Sequence, residues 1–226
     1  MPTLQLFSKY GICYGVFFLL TYFSKLNQGH KLVDPNGFVK NPGTLAGLQI
    51  AGILWLGVIP AVLFKQSLVT IIAGNHFPGT WKLIVVFLLV VNAIAFSEML
   101  ANQYRINSQN TGCLLISTGF LSRYWPLRIV FLVAYESWFR GFLLADCINN
   151  LAIPLAVCSN VFLYTLLHSW CGRKEILVCI PFGILLCVLS IWIGAAWPAI
   201  VLHSAVALSY EYRLSSRFFT PKNVFA

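Results

Sequence analysis

Seven stretches of nearly unbroken apolar residues run along this chain, separated by polar segments. They cover residues 8–24, 45–64, 83–101, 127–148, 151–169, 176–193 and 196–212. Each is close to the roughly 20 residues a helix needs to cross a hydrocarbon core about 30 Å thick. The apolar residues are continuous and do not alternate with period two, which argues against a transmembrane barrel. The pattern predicts an all-α fold: a polytopic transmembrane helical bundle of about seven spans, with six and eight as the bounds, around an intramembrane polar cavity.

The polar segments punctuate that pattern. Lys25 to Thr44 is the longest early loop and is rich in Pro, Gly and Asn. Lys65 to Trp81 contains the turn-forming run AGNHFPGT. Gln103 to Trp125 is mixed, and CLLISTGFL within it reads as a short re-entrant or interfacial piece. Pro154, Pro181 and Pro198 fall near span starts, which membrane helices tolerate. No internal repeat or low-complexity tract is evident. Residues 1–226 read as one integral membrane domain. Its N-terminal spans lie in 1–126, a core in 127–212, and a basic-aromatic tail in 213–226 whose RLSSRFF run suits a membrane surface.

Composition supports the pattern. The chain has 226 residues, 59% of them apolar and only 9% charged, against roughly 25% charged in average soluble domains. There is no room for a separate soluble domain. The net charge of +9 does not point to nucleic acid, because the basic residues sit at the ends of apolar runs. There they set topology and meet anionic lipid. Seven spans put eleven Lys and Arg residues on one side and three on the other. The positive-inside rule then predicts an outside N-terminus and a cytoplasmic C-terminus, with the cell membrane as the expected location. No cleavage site follows the first apolar run, which reads as a retained helix. Seven scattered cysteines without a CxxC pattern read as small buried apolar side chains.

The candidate chemistry breaks the apolar pattern. LRIVFLVAYESWFRGFLLADCI carries Glu136 and Arg140 in the middle of the fourth run. Ionisable residues at that depth are costly and mark functional sites. At spacing i, i+4 the two share a helix face, with Glu on the favourable N-terminal side. Glu136 lies about 12 Å along the helix from Arg128. Such a pair also neutralises itself, so helix locking is the competing reading. His168 in LYTLLHSW and His203 in WPAIVLHSAVAL add two polar groups from later runs. A carboxylate withdrawn from water is a stronger base and can activate water for hydrolysis. A histidine can share or pass on that proton, and a second can donate to the developing oxyanion. Arg140 then holds Glu136 ionised and oriented. The same Glu136, His168 and His203 can instead bind zinc with a position left for water, although HExxH is absent. No cofactor is required by the hydrolytic reading.

These motifs resemble the CPBP family, intramembrane proteases related to the type II CAAX prenyl endopeptidase and to bacteriocin-processing and immunity proteins. The family motifs are EExxxR, FxxxH and HxxxN. Glu136 to Arg140 supplies ExxxR followed by Gly141, and Tyr164 to His168 supplies an aromatic-xxx-His. His203 supplies the last histidine, approached by Trp197 and Pro198. The resemblance covers Val133 to Tyr210 and implies an endopeptidase acting on a membrane-associated peptide or protein. Candidate substrates are a prenylated tail, a leader peptide or a sorting signal. Three positions depart from the motifs. Tyr135 stands for the first Glu, Tyr164 for Phe, and Ala207 for Asn. Either Glu136 alone serves as base, or the chain is a catalytically inactive scaffold or regulator. A proton-coupled transporter is a third reading, with no inverted repeat to support it.

Tyr135 and Asn160 are auxiliary candidates. Tyr135 projects about 100° away from Glu136 around the helix, at the site edge or in packing. Asn160 and His168 sit at i and i+8, about 80° apart on the helix. Asp146 and Glu98 read as interfacial residues, and His30 and His76 as solvated loop residues.

Overall fold

The computed structural model describes residues 2–34, 37–64, 67–103, 118–170 and 172–218. Every predicted apolar run falls on a helix. These are α1 (Pro2–Leu26), α2 (Pro42–Leu63), α4 (Thr80–Gln103), α5 (residues 118–150), α6 (Ile153–Leu167), α7 (Arg173–Ile193) and α8 (Trp197–Phe218). Most extend past their apolar runs. The run marks what is removed from water, whereas the backbone ladder continues until a cap or breaker stops it. Asn41 opens α2, its side chain accepting from the Thr44 amide, with Pro42 in the first turn. Gly194 closes α7 in the left-handed region, at φ 78°. Pro181 falls inside α7 and not near its start, as does Pro126 in α5.

Two expectations need correction. The loop from Lys65 to Trp81 contains a short helix, α3 (Leu68–Ala73), capped by Ser67. Its Ile71 carbonyl accepts from the Ala196 amide, so it docks at the start of α8. The early loop holds a two-residue antiparallel pair, β1 (Val33–Asp34) with β2 (Gly37–Phe38), in an otherwise helical fold. The part of CLLISTGFL before Thr118, Cys113, Cys171 and the tail beyond Phe218 lie outside the described residues.

Among the described residues, three helices are long and apolar enough to cross a membrane: Pro42–Leu63, Thr80–Gln103 and Glu175–Ile193. The chain is an integral membrane protein. The other rods carry more charge or are shorter. Helix α5 contains Arg123, Arg128, Glu136, Arg140 and Asp146, and α6 has 15 residues. Exposed Phe87, Val91 and Phe96 on α4 and Leu177 on α7 give the outer surface the apolar character that lipid requires.

The helices pack most closely where small residues allow. A Cβ on Gly52 would overlap the Phe131 ring, and one on Gly57 would come within 2.9 Å of Ala134 Cβ. This seats α2 against the half of α5 that leads into Glu136. Aromatic side chains fill the space around it: Phe17, Phe131, Tyr135, Trp138, Phe139, Phe142 and Tyr164 form one buried cluster.

Candidate active site

Glu136 is the last residue of ordinary α-helix in α5 before a wide π-helical turn, Ser137–Leu143. A π turn is an irregularity that often marks functional sites. Here it carries SWFRGFL, buried throughout, so Arg140 lies on the wide turn itself. The turn draws in donors from other helices. Asn160 Nδ2 donates to the Phe139 carbonyl at 2.6 Å, and Tyr10 Oη donates to the Phe142 carbonyl at 3.0 Å. Gly141 makes room for α3, because a Cβ there would overlap the Ile71 side chain.

The Glu136 carboxylate is fully enclosed and has two cationic or proton-bearing neighbours. Arg140 Nε lies 3.4 Å from Oε2, and His203 Nδ1 lies 2.5 Å from Oε1. A carboxylate only accepts, so His203 donates from Nδ1 and its Nε2 carries the remaining lone pair when the ring is neutral. The His203 side chain keeps 12% exposure while that of Glu136 has none. The histidine, and not the carboxylate, is the accessible member of the pair.

The guanidinium is held from three sides. It lies 4.6 Å from the Tyr164 ring centroid and 5.5 Å from that of Phe139, both cation–π distances. Its Nη2 reaches the Gly183 carbonyl of α7 at 3.5 Å. Gly183 permits this approach, since a Cβ would stand 3.1 Å from Tyr164 Cδ1.

His168 caps the C-terminal end of α6, with Nδ1 2.9 Å from the Tyr164 carbonyl. A carbonyl cannot donate, so Nδ1 carries the proton and Nε2 faces away with its lone pair. His168 does not bond Glu136. It packs against the Tyr164 ring at 4.7 Å with the planes tilted by 47°, and that ring also contacts His203 at 6.1 Å. Tyr164 thus lies in contact with both histidines and with Arg140.

The auxiliary candidates separate. Tyr135 packs edge-on to His203 at 5.9 Å and is buried, yet its hydroxyl has no hydrogen-bond partner. Buried polar groups are nearly always paired; the Tyr135 hydroxyl shares the unpaired state with Ser137 Oγ and Trp138 Nε1 nearby in sequence. Asn160 is fully buried and bonds the π turn and Cys187 Sγ at 3.3 Å. Its hydrogen bonds go to that turn and to Cys187, not to His168. Asp146 accepts from Tyr10 Oη at 2.8 Å, and Glu98 is exposed on α4. His76 is exposed, whereas His30 is half-buried.

Two clefts are lined by described residues, one by Ile72 to Pro78, Leu83 and Trp197, the other by Leu121, Trp125, Tyr212, Ser215 and Ser216. Neither is lined by Glu136, so neither is the intramembrane polar cavity expected from the sequence. Among the described residues, no three His, Cys, Asp or Glu side chains are grouped to hold a metal ion. Arg140 sits beside the free side of the Glu136 carboxylate.

The stretch that holds all of these groups matches a known family. Residues 117–209 fit the model described as Type II CAAX prenyl endopeptidase Rce1-like. Over these residues the chain is similar to the CPBP family. The match takes in Glu136, Arg140, Tyr164, His168 and His203, and runs from α5 into α8. No curated protein matches the chain, and no solved structure does.

Sequence reasoning missed the π turn, for which apolar periodicity carries no signal. It also missed Tyr10, whose hydroxyl serves that turn from 132 residues away.

Proposed function

We propose that this protein is an intramembrane endopeptidase of the CPBP kind that cleaves a membrane-anchored peptide or protein with water activated by a Glu136–His203 dyad. The observation that carries the reading is the 2.5 Å contact between His203 Nδ1 and Glu136 Oε1 inside an apolar bundle. Glu136 fixes the tautomer and orientation of His203, as a buried carboxylate does for a catalytic histidine. His203 Nε2 takes the proton from water as the hydroxide adds to the scissile carbonyl. The dyad replaces the lone glutamate as base, because the partly exposed ring is what water meets. His168 Nε2 receives and returns protons at the next position, and delivers one to the leaving amine. Tyr135 Oη, a donor without a partner, serves the developing oxyanion. Arg140 holds Glu136 ionised; Tyr164 holds Arg140 and both histidines in place. No step is routed through a metal.

The substrate class follows from the site's setting. A peptide must already be at the bilayer to reach a site enclosed by apolar helices, so a lipid-anchored tail of the CAAX type fits best. Anionic lipid at the basic ends of the helices would concentrate such substrates.

The test is a set of cleavage rates with Glu136→Gln, His203→Gln and the double variant in purified protein. Each single change should lower kcat by roughly 10²–10⁴-fold, and the double should cost little more, because residues acting as one unit are not additive. Multiplicative losses would contradict the dyad.

A second reading has one observation in its favour. Glu136 and Arg140 are both fully enclosed and neutralise one another, which suits an inactive scaffold. In that case Glu136→Ala would still support whatever the protein does in the cell.

A further inference from the structure

A second polar rung joins the two helices that carry the dyad. Arg128 Nη2 on α5 lies 2.6 Å from Glu211 Oε1 on α8, and Tyr124 Oη donates to Glu211 Oε2 at 2.7 Å. Arg128 precedes Glu136 by eight residues, and Glu211 follows His203 by eight. The helices are antiparallel, so both pairs obey one register and stand about 12 Å apart. The charges are swapped between the rungs: α5 offers the carboxylate at one and the cation at the other.

Apolar helix faces can repack one turn along without losing much dispersion energy, because neighbouring ridges are alike. A charge pair cannot slip in that way. Arg128 and Glu211 are partly withdrawn from water, at 21% and 16% side-chain exposure, and a slip would leave each unpaired. The rung also stands where Tyr124 ties it to the aromatic stack formed with Phe120 and Trp125.

We infer that Arg128 and Glu211, with Tyr124, are positioning residues that set the register of α8 on α5 and thereby hold His203 on Glu136. The register claim stands on geometry; its consequence for turnover rests on the function proposed above. Neither residue touches the dyad, so the effect is transmitted along the helices.

Leu132 and Ala207 lie midway between the rungs, four residues from each. Ala207 packs against the cluster containing Leu132. Disulfide formation between Leu132→Cys and Ala207→Cys in the full chain therefore reports the register without reference to activity. The yield should be high with Arg128 and Glu211 intact. It should fall several-fold with Glu211→Ala and less with Glu211→Gln, which keeps the shape and an acceptor for Tyr124. It should recover in the charge swap Arg128→Glu with Glu211→Arg. In parallel, kcat for peptide cleavage should drop with Glu211→Ala by up to roughly 10²-fold, the scale of a small misplacement, with KM little changed, and rise again in the swap. An unchanged cross-link in both Glu211 variants, or one the swap fails to restore, overturns the inference. A register that shifts as expected, in a protein that cleaves no lipid-anchored peptide in any form, upholds the clasp and sinks the protease reading.

Discussion

At the scale of single residues, the site differs from its motif in a way the geometry makes intelligible. The place of the first motif glutamate is held by Tyr135, so the chain has one carboxylate where others have two. That carboxylate bonds His203, and the histidine supplies the second titratable group. Tyr135 supplies an unpaired hydroxyl. Tyr135→Phe removes only that oxygen, and turnover should fall by roughly 10²-fold if it serves the oxyanion; rates equal to the parent's would leave it a packing residue. His168→Gln should lower kcat more than it raises KM, measured by steady-state kinetics, because in the proposed mechanism its Nε2 moves protons and binds no substrate. Glu136, Arg140, His168 and His203 were all legible from sequence as polar interruptions of apolar runs. Which histidine meets the carboxylate was not. That depends on the rotation of three helices about their axes, and a single histidine in a run carries no information about it. Glu211 was also missed. Its distance from His203 matches that of Arg128 from Glu136, but the match has meaning only once α5 and α8 are known to be antiparallel neighbours.

At the scale of elements, the wide turn at Ser137–Leu143 and the glycines of α2 explain why the site is so enclosed. Asn160 and Tyr10 spend their donors on the turn's carbonyls. Asn160→Leu should therefore destabilise the fold by about 1–3 kcal/mol through the buried carbonyl left unpaired, read as a lower thermal midpoint in detergent. A midpoint equal to the parent's would show that the turn needs no side-chain donor. Gly57 faces Ala134, two residues before Glu136, at a distance that admits no side chain. Gly57→Leu should cost about 1–3 kcal/mol by overpacking, again by thermal unfolding. Helix existence was readable from the apolar runs, since the hydrophobic length is what the bilayer demands. The helix α3 was hidden because six residues give too short a window for periodicity, and its AGNHFPGT neighbour reads as turn.

At the scale of the whole molecule, the polar contacts sort to two ends. Lys31 with Glu175, Arg213 with Asn102, and Lys25 over Trp170 lie at one end; Lys82 with Trp192, beside Trp81, lies at the other. This is the alternation that seven antiparallel passes would produce, and the first end holds most of the basic residues. The positive-inside rule makes that end, and the C-terminus with it, the expected cytoplasmic side, which labelling tests. A cysteine placed at Ser216 should react with impermeant maleimide only in inverted vesicles. The Glu136 site lies between these ends, roughly 12 Å from Arg128 along α5, the depth that the proposed membrane-held substrate requires. The account stands or falls on one measurement: release of peptide from a prenylated, membrane-anchored substrate in proteoliposomes, followed by mass spectrometry, for the parent protein and for Glu136→Gln. The parent should cleave and the variant should be slower by roughly 10²–10⁴-fold. Equal rates in the two proteins would contradict it.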